Sequence, residues 1–104
     1  MGFTANTVRQ IQEEREVKGK RKKVAVDCWF TSTGRAIPHI VKYEDEEGCL
    51  QTIRDIQVLK REQKNFAGIY SQRFDCQAVV EGYERQFILM FRLQDHTWDM
   101  IIRE

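Results

Sequence analysis

At 104 residues, with 41% hydrophobic and 32% charged side chains, the chain can bury one modest core and has no room for a second domain. No apolar run is long enough to cross a bilayer and the start lacks the apolar stretch of a secretory signal, so a cytoplasmic location is the default expectation. The net charge of +1 hides an asymmetry: of 17 basic and 16 acidic residues, 1–23 hold seven and three, which leaves ten and thirteen for the rest. A basic leader on an acidic body can bind nucleic acid, or it can fold back on its own domain.

Residues 4–17 read as a helix. Thr7 and Gln10 fit a capping box, Val8 and Ile11 share a face, and no Gly or Pro intervenes before Gly19. With only Phe3, Val8 and Ile11 to bury, such a helix needs a docking surface to persist, so 1–18 is expected as a docked helix or a mobile arm. Residues 19–23 then form a basic linker to a small β domain over 24–104. Lys18, Lys20, Arg21, Lys22 and Lys23 carry the densest charge in the chain. Their plain role is a solubilising connector or a guard on a strand edge. Their sharper role is an arm on nucleic-acid phosphates, each contact adding about one unit to the salt slope of binding.

Val24, Val26, Cys28 and Phe30 share one strand phase, and a turn at Thr33-Gly34 leads to a second strand through Ile37, Val41 and Tyr43. The expected register pairs Phe30 with Ile37 and Val26 with Val41, and puts His39 opposite Cys28. Pro38 cannot donate a ladder hydrogen bond, which predicts a bulge or an edge there. The acidic stretch of Glu44, Asp45, Glu46, Glu47 and Gly48 lacks the ligand alternation of a calcium loop and reads as a solvated hairpin tip. A third strand follows from Leu50 to Leu59. Ile53 and Ile56 are out of phase in it, predicting a bulge at Arg54-Asp55 that lets the sheet coil. Residues 60–66 read as a polar connection before a long strand starting near Ala67.

The clearest pattern lies between Phe74 and Ile102. Phe74, Cys76, Ala78 and Val80 share a phase, as do Phe87, Leu89, Phe91 and Leu93. A type II′ turn with Gly82 and Tyr83 at its centre would set Phe74 opposite Phe91 and Cys76 opposite Leu89. A two-residue loop at Asp95-His96 would set Phe91 opposite Met100, with Asp99 beside Arg92 to offset Arg73. The reverse face carries Val79, Ile88, Met90 and Ile101. An antiparallel sheet with a solvated face should be polar there, so these four are the candidate protein interface. The expected fold is therefore mainly β: a six-stranded antiparallel meander forming a small barrel or strongly curled sheet, with one N-terminal helix.

From Val26-Asp27 through Gly34-Arg35, Pro38, Tyr43-Glu44-Asp45, Ile53 and Ile56-Gln57-Val58 to a last strand carrying Trp98, the chain resembles a family of short uncharacterised antiparallel β proteins from Gram-positive bacteria. The likeness covers residues 24–103. Some similar small β families are encoded near translesion DNA polymerases, which implies an accessory role in DNA repair. The helical leader and basic run depart from that pattern, and the resemblance supplies no functional residues.

Cys28, Cys49 and Cys76 have wide spacings and no C-x-x-C pair, so neither a disulfide framework nor a zinc site is indicated, and Cys28 and Cys76 fall on apolar phases as small core residues. His39 and His96 are the only histidines, and no glycine-rich phosphate loop or spaced carboxylate pair accompanies them. An enzyme is the least favoured class, and no cofactor or metal is expected. The favoured reading is a non-enzymatic module that binds a protein partner or a second copy through the outer face or an exposed strand edge. The alternative is a nucleic-acid-binding small barrel, with residues 18–23 on phosphates and Trp29 or Tyr70 stacking on bases.

Overall fold

The computed structural model describes residues 20–102, and the expected helix over 4–17 lies outside them. The described chain is all β. β1 (Lys20–Phe30), β2 (Ala36–Glu44), β3 (Leu50–Ile53), β4 (Gln57–Phe66), β5 (Ile69–Val80), β6 (Tyr83–Arg92) and β7 (Thr97–Ile102) form one sheet in the order β3-β2-β1-β7-β6-β5-β4.

That order is the chain order rotated and cut between β3 and β4. Every neighbouring pair is antiparallel, so β3 and β4 must run in the same direction. They are two parts of one strand, broken at residues 54–56 where Asp55 adopts a φ of +53°. The first part pairs with β2 and the second with β5, so continuous chain ties the two edges of the sheet together. The result is a strongly curled half-barrel. The expected irregularity at Arg54-Asp55 is thus a full break, and it raises the expected six strands to seven. A second shift at Leu59 adds to the curl of β4.

Strand alternation builds the core. Val41, Tyr43, Ile53, Phe74, Cys76, Phe87, Leu89, Phe91, Trp98 and Met100 are buried on the inner face, with Val24, Val26 and Cys28 packed against them.

Both hairpin registers differ from expectation by two residues, which preserves the faces but changes the partners. The turn between β5 and β6 is centred on Glu81 and Gly82, at φ +51° and +87°, so Val80 pairs with Tyr83, Phe74 with Leu89 and Cys76 with Phe87. Positive φ at both central positions is the type I′ geometry, which suits the twist of the flanking strands as the expected type II′ turn would, but it is centred one residue earlier. Between β6 and β7 the loop takes four residues, 93–96, closed by the His96 N–H donating to the Arg92 carbonyl at 2.9 Å. Phe91 therefore faces Trp98 and Leu89 faces Met100. Arg73 lies opposite Met90 and not beside Arg92, and its Nε donates to Asp75 at 2.9 Å, so the expected like-charge contact does not arise.

Residues 60–66, expected as a connection, are strand: β4 runs to Phe66 and turns at Ala67-Gly68, at φ +53° and +83°, into β5 at Ile69. In β1 and β2, Val26 pairs with Val41 as expected, but a bulge then shifts the register, so Pro38 and not His39 faces Cys28, and Phe30 faces Ala36. The proline fixes the place of the bulge.

Residues 20–23 are not a linker, because β1 begins at Lys20 and pairs with β7 from the outset. Alternation splits the basic run between the two faces of the sheet. Lys20 and Lys22 take the inner phase at one end, while Arg21 and Lys23 take the outer phase around Asp99. Asp99 is 2% exposed and accepts from Arg21 at 2.6 Å, Lys23 at 3.0 Å and Arg92 at 3.0 Å. Burial alone pushes its carboxyl up, but the contacts with Lys23, Arg21 and Arg92 outweigh that and hold it below the ordinary carboxylate range.

Two outcomes follow from this packing. Ala67→Asn would replace an alanine at positive φ with the residue that type I′ turns prefer, raising stability by about 0.5–1 kcal/mol, read as a higher urea midpoint. Asp99→Asn should cost about 2 kcal/mol at neutral pH, the scale of charged hydrogen bonds lost at a buried site. Because the folded carboxyl titrates below its unfolded value, its contribution is complete above the unfolded pKa and disappears as pH falls through the folded one. The gap between wild type and variant should therefore be constant near neutrality and close below about pH 4, checked by urea titrations across pH.

Candidate functional site

The two ends of the half-barrel differ. At the end holding the start of β1 and the end of β7, a cleft of about 520 Å³ is lined by Lys20, Lys22, Tyr43, Asp45, Glu81 and Arg85 among others. Its charges answer one another. Lys20 pairs with Glu46 on the β2–β3 tip, and Lys22 sits 4.9 Å from the centre of the Tyr43 ring. The Tyr43 hydroxyl donates to Glu81 at 3.1 Å, and burial together with that bond pushes the phenol up to about 12. Asp45 caps the tip, accepting from the Gln51 amide at 2.9 Å and from the Cys49 and Glu47 N–H groups at 2.8 and 2.9 Å, contacts that lower its carboxyl. The basic start of β1 is thus folded back onto the acidic tip of its own domain.

At the opposite end the sheet splays. β7 pairs with β1 only as far as Val24 opposite Trp98, because β7 begins at Thr97. Residues 25–30 of β1 continue with β2 on one side and, among the described residues, no strand on the other. On that open side lies a groove of about 460 Å³ between β1 and the β6–β7 hairpin, floored by Val26, Cys28 and Trp98 and rimmed by Phe30, Leu93 and His96. Its aromatic groups form a chain of contacts: Phe91 to Trp98 at 4.7 Å, Phe30 to Phe91 at 6.2 Å and Phe91 to His96 at 6.2 Å between ring centroids. Phe30 is 58% exposed at the rim. Burial, as the largest influence, pushes the Cys28 thiol up, so at neutral pH it serves the groove as an uncharged small side chain. Cys76 is pushed up to about 12 by burial in the core.

The other edge of this splayed β1–β2 ribbon is guarded. β2 pairs with β3 only from Val41 onward, leaving its first residues without a strand on that side among the described residues. Pro38 is buried there and offers no N–H, and Arg61 of β4 reaches across to donate from Nη1 to the Ala36 carbonyl. β4 itself presents Lys60, Glu62 and Lys64 along its outer phase, the charged pattern that blunts edge pairing. Only Asp27 carries charge among residues 25–30 of β1.

The four residues of the expected outer-face interface do not make one exposed patch. Ile88 and Ile101 are cross-strand partners at 1% and 3% exposure, Met90 is half-buried, and Val79 alone is open at 60%. Of the expected phosphate contacts, Lys18 lies outside the described residues, and Lys20, Arg21, Lys22 and Lys23 each engage a group of this chain. His39, displaced by the bulge, stacks on exposed Trp29 at 5.1 Å with Asp27 3.7 Å from its Nδ1. Tyr70 is exposed at the start of β5. Sequence reasoning missed Phe30, Leu93 and Trp98 as one site, together with Arg61. Their shared signal was the inner strand phase, but only the point where β7 stops pairing brings them to an open groove. Comparison with family models, with curated proteins and with solved structures finds no match, so the candidate site rests on its geometry.

Proposed function

We propose that this protein is a non-enzymatic interaction module that takes an extended segment of a partner protein along residues 25–30 of β1. The observation that carries this reading is the fork where β1 parts from β7, which sets an unguarded strand edge beside an aromatic groove. An open edge offers a row of N–H and C=O groups to an incoming strand, and a neighbouring groove selects its side chains. The module's other free edges are short or charged: β3 has four residues, β4 carries alternating Lys and Glu, and residues 20–24 of β1, which pair with β7 alone among the described residues, are mostly Lys and Arg. Leaving one edge apolar while blunting the rest is the pattern of a used edge.

The alternative, a basic arm on nucleic acid, has less support. Phosphates would have to displace Glu46 from Lys20 and compete with Asp99 for Arg21 and Lys23.

Panning a random peptide display library on the folded protein, then titrating an enriched peptide into isotope-labelled protein, tests the reading. Amide shifts should concentrate in residues 25–30 and 91–98, and Phe30→Asp, at the exposed rim, should weaken binding by roughly tenfold, or about 1.4 kcal/mol. Failure to enrich any peptide, or shifts centred on Val79 and Met90, would contradict it.

A further inference from the structure

We propose that the partner segment carries a carboxylate, received by Arg35 and Arg61 in the cleft next to the fork. This rests on the reading of the fork as a peptide groove and adds the chemistry of what the groove selects. Arg61 is on the inner phase of β4, opposite Phe74, with its guanidinium 5.4 Å from the centre of that ring. Arg35 ends the turn before β2, its N–H donating to the Thr31 hydroxyl at 3.0 Å. The two line a cleft of about 200 Å³ together with Ala36, Gln63, Gln72 and Phe74.

Two other charged groups border this cleft, and each has an opposite charge nearby. Arg73 binds Asp75 at 2.9 Å, and Glu62 lies 3.6 Å from Lys64. Among the described residues neither Arg35 nor Arg61 forms an ion pair, and burial, and after it the Arg35 charge, depress the Arg61 guanidinium. A pair of like charges at the mouth of a cleft is unfavourable until an anion enters. Arg61 spends one N–H on the Ala36 carbonyl, and a guanidinium has five, so the planar fork retains donors for a carboxylate. The cleft adjoins the groove: Phe74 in one touches Trp98 in the other at 5.7 Å, and Ala36 in one is the register partner of Phe30 in the other. A strand lying on β1 with an apolar side chain in the groove can direct an acidic side chain or its terminal carboxylate to the arginines. The competing explanation for Arg61 is that an inward charge merely guards an edge strand. That role would be indifferent to the charge of a bound peptide.

The test is a double-mutant cycle using peptides enriched by panning on wild type. They should share an Asp, a Glu or a free C-terminus at a fixed distance from an apolar residue. Changing that Asp or Glu to Asn or Gln, or amidating the terminus, should weaken binding by roughly tenfold or more, and on Arg61→Met the same change should have almost no further effect. Arg35→Gln, an exposed turn position, repeats the cycle should Arg61→Met fail to fold. Enriched peptides without a shared carboxylate, or an equal loss on wild type and both variants, would overturn the proposal while amide shifts at residues 25–30 keep the groove reading intact. Absence of those shifts would instead sink the groove reading itself. A single-stranded oligothymidylate that binds through the same residues more tightly than any peptide would also overturn the proposal, in favour of phosphate on the arginines and bases on Phe30.

Discussion

One broken strand sets the geometry of the whole molecule. Because β3 and β4 run in the same direction through the break at residues 54–56, the chain there must serve both edges of a single sheet. β3 has only four residues, so it seals β2 at one end and runs out before reaching the other. β7 is short as well and leaves β1 at Val24. Both gaps fall at the same end. The β2–β3 tip therefore borders a cleft at one end of the half-barrel, and the other end is splayed, where the ribbon of β1 and β2 stands apart from its neighbours on both sides.

The two gaps are treated differently, and the difference suggests where function resides. Beside β2 the backbone edge is blocked against an added strand by a buried proline with no donor and an arginine bonded to the Ala36 carbonyl. The gap beside β1 holds no strand among the described residues and is lined with rings. The same contrast holds for charge. At the end bearing the β2–β3 tip Lys20, Lys22, Glu46 and Glu81 are matched within the chain, whereas at the splayed end Arg35 and Arg61 line one cleft and, among the described residues, form no ion pair.

Much of the fold was legible because strand alternation reports faces directly. The phases of Phe74 to Val80, Phe87 to Phe91 and Trp98 to Ile102 gave the inner face, Pro38 marked its bulge, and the mismatch of Ile53 with Ile56 marked the curl. Register was not legible. A slip of two residues leaves every side chain on its face, so apolar patterning cannot distinguish Phe74 opposite Leu89 from Phe74 opposite Phe91. The turn decides it, and Glu81 at positive φ was not foreseen. β4 was hidden because an edge strand with a solvated outer phase reads as a polar connection. The candidate site was hidden for another reason: it depends on where pairing stops, a property of two strands that neither shows alone. The division of the basic run between the faces was hidden too, since four adjacent cations become two on each face only once Lys20 is the first residue of a strand.

At Val24 β1 changes partner, from β7 on one side to β2 on the other, so the side that faced β7 becomes an open edge over residues 25–30. Residue-resolved amide hydrogen exchange in the free protein measures this directly. β1 has one partner at a time, so along residues 20–24 the β7-facing amides should be slow, whereas from 25 to 30 the β2-facing amides should be slow and the groove-facing amides should exchange fast. Uniform protection along the whole of β1 would show that the edge is already occupied in the free protein and would contradict the account.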